Sequence, residues 1–203
     1  MTEAPTAGLT SGPASGATSG SAADFLPGLL AELARNLPQI GAQEAGALAG
    51  ALLGARRVFV AGAGRSGLMV RAFAMRLTQL GITAYVVGET TTPAVAPGDL
   101  LLVASGSGET GGLVQMARQA RAVGAAVALV TLAPRSALGE LAGVRVTLPG
   151  VVKDGADAGR SVQPMASLFE QTLLLFLDAL VLDLMRRLDQ TSADMYTRHA
   201  NLE

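Results

Sequence analysis

Val58-Phe59-Val60-Ala61-Gly62-Ala63-Gly64-Arg65-Ser66-Gly67 decides the fold of this chain. A short, unbroken apolar run opens into a glycine-rich turn, and a helical pattern follows with Leu68, Met69, Phe73, Met75, Leu77 and Leu80 as its apolar side. An apolar strand without alternation is buried on both faces, as in a parallel sheet covered by helices. Gly62, Gly64 and Gly67 also fit the dinucleotide-binding pattern G-x-G-x-x-G, with Glu89 after the next strand near the place of a ribose-binding acid. The same spacing equally suits a tight strand-to-helix turn that holds no ligand.

A second strand-to-turn unit lies downstream. Leu100 to Ala104 leads into Ser105-Gly106-Ser107-Gly108-Glu109-Thr110, and a helix is predicted over Gly112 to Val123. Glycines let the backbone approach an anion, free N–H groups at a helix start favour negative charge, and each hydroxyl adds a donor. This chemistry suits one phosphate dianion, and a dinucleotide fold has no need of it after its third strand. The plainer alternative is a Ser/Thr cap after a glycine turn. Ser66 stands after the first strand as this loop stands after the third, and Arg65 beside it can reach a phosphate or serve as a surface charge.

Outward from these loops the pattern keeps alternating. Strands are predicted at 84–87, 126–130 and 144–148, with a short helix at 137–141. Upstream, Asp24 is read as the N-cap of a helix in which Phe25, Leu26, Leu29, Leu30 and Leu33 fall at helical spacing, and a second helix covers 42–53. Downstream, a polar break at 150–160 precedes a long apolar helix over 164–188 and a short one over 192–198. The fold class is therefore a single α/β domain, a five-stranded parallel sheet flanked by helices in three layers, over residues 24–203. Residues 1–23 are Ala, Gly, Ser, Thr and Pro-rich and are expected to be disordered. They lack the basic start and apolar run of a signal peptide.

Composition removes several classes of function. The net charge of −1 provides no field for nucleic acid or an anionic membrane. There is no cysteine, so thiolate catalysis and zinc-thiolate sites are out, and no carboxylate cluster suggests a metal. The lone lysine, Lys153, sits in the polar break and is a weak Schiff-base candidate. Glu170, Asp178 and Asp183 interrupt the apolar helix, so it does not read as a membrane span; a helix apolar on most faces is usually buried in protein, often at a subunit contact.

The glycine-rich turn 62–67, Val87-Gly88-Glu89-Thr90-Thr91-Thr92-Pro93, the loop 105–110, Ser161-Val162-Gln163-Pro164, Ser167-Leu168-Phe169-Glu170-Gln171 and Arg198-His199-Ala200-Asn201-Leu202-Glu203 together resemble the 6-phospho-3-hexuloisomerases of the sugar-isomerase (SIS) group. The resemblance covers roughly residues 24–203. Two departures stand out: the polar segment 1–23, and Ala166 where glycine is expected. The resemblance implies a cytoplasmic isomerase that needs no cofactor or metal. It implies interconversion of D-arabino-hex-3-ulose 6-phosphate and D-fructose 6-phosphate in the ribulose monophosphate route of formaldehyde handling. A homotetramer with active sites near subunit contacts is also implied, and a hexulose-phosphate synthase is a possible partner.

Such a reaction needs a phosphate anchor, a base and donors for a developing oxyanion. The anchor is assigned to Ser66, Ser105, Ser107 and Thr110, with Gly64 and Gly106 giving backbone access. Glu170 is the candidate base; the alternative is an ordinary first-turn acid complementing a helix dipole. His199 is the candidate acid or donor, from its own or a neighbouring subunit, against the alternative of a solvated tail residue. Arg65, Glu89 and Thr90 are placed as substrate contacts. A different phosphosugar isomerase, a non-catalytic phosphosugar sensor and a dinucleotide oxidoreductase remain as alternatives.

Overall fold

The computed structural model describes residues 20–150 and 161–202. Most of the segment 1–23, and the Lys153 loop, lie outside the described residues. Five strands form one all-parallel sheet: β1 (Val58–Gly62), β2 (Ala84–Val86), β3 (Leu100–Ala104), β4 (Ala126–Thr131) and β5 (Val144–Thr147), in the order β2-β1-β3-β4-β5. The register sets Val60 opposite Val86 on one side and Leu102 on the other. This order answers the expected fold class, and it reverses direction between β1 and β3.

Right-handed crossovers dictate where the helices go. The step from β1 to β2 runs one way across the sheet, so α3 (Arg65–Gln79) covers one face. The steps from β3 through β5 run the other way, so α4 (Gly111–Ala122) and α5 (Ala137–Leu141) cover the opposite face. The strands' alternating side chains follow suit. Val58, Val60, Leu100, Leu102 and Val130 join the core with α2 (Ala42–Gly54), α3 and α6 (Ser167–Arg187), while Phe59, Ala61, Leu101, Val103 and Leu129 join the core with α4 and α5. At the sheet edge, Glu44 of α2 accepts the Thr147 N–H of β5 at 2.7 Å, which satisfies a donor that edge strands otherwise leave open.

Three expectations change at the helix ends. Asp24 is not the N-cap: Ser21 caps a 3-10 turn (Ala22–Phe25), and Asp24 returns the bond as the far side of a capping box before α1 (Leu26–Asn36). The long helix begins at Ser167 rather than Pro164, because Met165 takes φ 57° and a right-handed helix cannot pass through it. The last helix, α7, is shorter than predicted, Ser192–Tyr196.

Only part of the apolar side of α1 turns inward: Leu29 and Leu33 are partly buried. Phe25, Leu26 and Leu30 are each more than half exposed, and the buried residue of this helix is an acid, Glu32. No helix among the described residues is long and apolar enough to cross a membrane.

Candidate active site

Ligands in doubly wound sheets bind outside the carboxyl ends of the strands where the strand order reverses. Here that point lies between the loops after β1 and β3. A cavity of about 170 Å3 occupies it, lined among others by Gly64, Arg65, Ser66, Ser105, Gly106, Ser107, Thr110 and Glu170. Eight residues expected to act on a phosphosugar thus converge from three separate stretches of chain.

The first loop is built by steric need. A Cβ on Gly62 would stand 2.8 Å from the Gly67 nitrogen, and one on Gly67 would stand 2.7 Å from the Gly62 oxygen. The two glycines make the turn tight by lying against each other, which explains most of the dinucleotide-like spacing without a dinucleotide. Gly64 precedes α3 at φ 58°, ψ −134°, a conformation open to glycine. The helix starts earlier than the pattern suggested, so Arg65 and Ser66 sit in its first turn.

The second loop is braced from within. Ser105 Oγ accepts the Gly108 N–H at 3.2 Å and lies 3.5 Å from Thr110 Oγ1. Ser107 Oγ accepts the Glu109 N–H at 3.2 Å. Glu109 turns away and accepts the Ala137 N–H of α5 at 2.8 Å. Thr110 is the N-cap of α4 by position, yet its side chain makes no capping bond. The first N–H groups of α4, and the Thr110 hydroxyl beyond its contact with Ser105, can take an anion in the cleft.

α6 supplies the facing wall. Phe169 is buried and packs against Gly106, and Glu170 is buried beside it. Glu170 forms an ion pair with Arg65, whose side chain is more than half exposed at the rim. The cleft therefore joins hydroxyls and helix N–H groups on one side to an acid on the other, with a guanidinium between them. Such a set can hold a phosphoryl group and move a proton on the attached carbon chain.

Three candidates are not brought to this cleft. Glu89 pairs with Arg71 in the second turn of α3, both side chains about half exposed. Thr90 lies exposed beside it. β2 is the sheet edge, and neither Glu89 nor Thr90 lines the cavity between the β1 and β3 loops. His199 stands near Arg76 and Gln79 at the far end of α3, stacked on Tyr196 at 5.8 Å. At 1.5 Å per residue, the length of α3 separates it from Arg65 by roughly 17–21 Å.

The cavity is also lined by residues to which sequence reasoning assigned no site role: Ala63, Ala104, Leu113, Leu132, Ala166 and Phe169. These are apolar, and nothing in their spacing distinguishes them from core. Ala166 carries φ −110°, a backbone open to any residue, so alanine is accommodated where glycine was expected. Among the described residues no group of acids and histidine is placed to hold a metal.

An all-parallel α/β sheet that reverses at a hydroxyl-lined cleft sets the fold, and the chain belongs to the SIS domain family, whose pattern matches residues 51–180. Its relatives narrow the class. It is 45% identical over 180 residues to the 3-hexulose-6-phosphate isomerase of Bacillus subtilis (strain 168), covering 88% of this chain and 97% of that one. It is 44% identical to the enzyme of the same name from Mycobacterium gastri, over 85% of this chain and 86% of that one. A crystal structure from Methanococcus jannaschii, for which the function of 3-hexulose-6-phosphate isomerase has been inferred, superposes with a TM-score of 0.77 at 30% identity, over 89% and 99% of the two chains. The resemblance read from the separate sequence segments is borne out.

Proposed function

We infer that this chain is a 3-hexulose-6-phosphate isomerase, the same activity as 6-phospho-3-hexuloisomerase. The observation that carries the reading is the pairing, across one cleft, of the 105–110 loop at the start of α4 with the buried Glu170 of α6. The Ser66, Ser105, Ser107 and Thr110 hydroxyls and the α4 N-terminus hold the phosphate. Glu170 removes the proton from C2 of the hex-3-ulose, and the C3 carbonyl oxygen takes up a proton. The resulting enediol loses its C2 hydroxyl proton as C3 is protonated, leaving the carbonyl on C2. All atoms stay in the substrate, so the reaction needs no redox partner. Arg65 orients the carboxylate and offers a cation to the phosphoryl end. Incubation of the protein with D-arabino-hex-3-ulose 6-phosphate, with nothing else added, is expected to yield D-fructose 6-phosphate; recovery of unchanged substrate defeats the assignment.

The phosphate grip has its own test. Ser107→Ala removes one donor to a dianion, a bond worth about 1.5–3 kcal/mol, so KM should rise roughly ten- to a hundredfold with kcat little changed. An unaltered KM removes Ser107 from the anchor.

His199 reaches a cleft only from a second copy of the chain. Its distance from its own cleft supports this reading, as do the apolar side chains left outward on α1 and at Leu182 of α6. Two inactive variants, His199→Ala and Glu170→Gln, should regain activity when unfolded and refolded together, because mixed oligomers contain clefts with both groups intact. Absence of any regain places His199 outside the reaction. A homotetramer is the assembly expected on this reading, and a synthase that forms the hexulose phosphate is the expected supplier of substrate.

A further inference from the structure

We propose that Glu32 is a positioning residue that sets the start of α6 and, through it, the place of Glu170 in the cleft. The proposal rests on the reading of Glu170 as the base. Glu32 is 3% exposed on a helix that leaves Leu26 and Leu30 in the open. Apolar burial does not explain such an arrangement, because a buried carboxylate is costly unless its oxygens are fully bonded. They are bonded here, and all three donors come from one short segment. Glu32 accepts from the Val162 N–H at 2.7 Å, from Ser161 Oγ at 2.9 Å and from Gln163 Nε2 at 3.0 Å. Ser161 Oγ in turn accepts the Gln163 N–H at 3.0 Å, which closes the segment on itself. Burial alone would push the Glu32 carboxyl up, yet the bonds from Gln163, Val162 and Ser161, with Arg35 nearby, hold it below the usual carboxylate range.

The segment so held leads directly into the catalytic wall. Its next residues are Pro164, Met165 in a left-handed conformation, and Ala166, which caps α6 with no side-chain bond of its own. Ser167 N–H bonds back to the Pro164 carbonyl, and Glu170 N–H to the Ala166 carbonyl. The first turn of α6 thus has no side-chain cap to fix it. Its anchor is upstream, in Ser161 to Gln163, and their partner is Glu32. The phosphate loop 105–110 belongs to other elements and takes no bond from this clamp. Loss of Glu32 should therefore displace the base while leaving the anion grip in place.

The prediction separates kcat from KM. Glu32→Ala should lower kcat on the order of a hundredfold, the usual consequence of an ångström-scale misplacement, while KM stays within about threefold. Glu32→Gln, which keeps an acceptor for Val162 and lets the Gln163 amide turn to match, should recover most of the rate. Amide hydrogen exchange provides a readout that does not depend on turnover. In Glu32→Ala, exchange should quicken over residues 161–170 and stay unchanged over 105–112. A folded Glu32→Ala protein with wild-type kcat, or with loosening spread evenly over both regions, overturns the proposal. Should Glu32→Ala not fold, the double variant Ser161→Ala, Gln163→Leu removes two of the same bonds from the other side. It must then show the same kcat loss and local exchange, and wild-type behaviour there refutes the clamp. If the native protein converts no hexulose phosphate, the reading of Glu170 fails by itself, and the exchange comparison still decides whether Glu32 holds this segment.

Discussion

Glu170→Gln is expected to reduce kcat by about a thousandfold, within the range that a positioned acid–base group contributes. The substitution keeps the shape of the side chain and its place between Phe169 and the cleft, so the core around α6 is undisturbed. It removes the one property the reaction needs, a carboxylate able to take a proton from carbon. It also ends the ion pair with Arg65 and leaves that guanidinium free for the phosphoryl group. Binding of D-fructose 6-phosphate, measured by calorimetry, should therefore hold within about threefold of the native value, since uniform binding and chemistry are separable. Turnover near the native rate in this variant excludes Glu170 as the base and with it the proposed division of labour in the cleft.

Asp99→Asn should have the largest effect on stability, at the opposite edge of the sheet. The Asp99 side chain is fully buried and accepts from Arg57 at 2.6 Å and 3.1 Å, from Arg56 at 3.2 Å and 3.3 Å, and from the Ala96 N–H at 2.8 Å. It ties the start of β1 to the turn before β3, and with them the paired strands that carry both cleft loops. Asparagine sets a buried amide N–H2 against the guanidinium donors and loses part of their bonding, while the guanidinium groups themselves still reach solvent, so the loss is about 1–3 kcal/mol. For a chain of this length that corresponds to a fall in Tm of about 2–12 °C.

The pH dependence follows from the same contacts. The Arg57 hydrogen bond, helped by Ala96 and the charge of Arg56, outweighs burial and holds the Asp99 carboxyl below its usual range. A carboxyl depressed by folding contributes its full stability above the unfolded value, about pH 4. As the pH falls through that range towards the lower native value, the unfolded chain binds the proton first and the contribution is lost. The Tm gap between native protein and Asp99→Asn should therefore be widest near neutral pH and shrink below about pH 4. A gap that does not change with acidification means the charge is not what stabilises the site.

The glycine-rich turn and the hydroxyl loop were legible because both follow continuous apolar strands, and residue type by itself announces tight turns and anion donors. Ser66, Ser105, Ser107, Thr110 and Glu170 could be nominated on those grounds and on resemblance. Glu89 was not separable from a ligand contact, because an acid after a strand reads the same whether it faces a substrate or Arg71. Glu32 gave no signal: in a leucine-rich helix an isolated acid reads as the solvent side. The reverse holds because three donors far along the chain pay for its burial.

Local chemistry, then, was enough to determine the strand-and-helix rhythm, the two anion-ready turns and the want of thiol or lysine-rich machinery, since each depends on neighbours within a few residues. Only the tertiary structure decided that the sheet reverses between β1 and β3, that α6 crosses to bring Glu170 opposite the hydroxyl loop, and that His199 ends far from its own cleft. Those outcomes depend on the handedness of crossovers and on contacts between residues distant in the chain, which no short window of residues encodes.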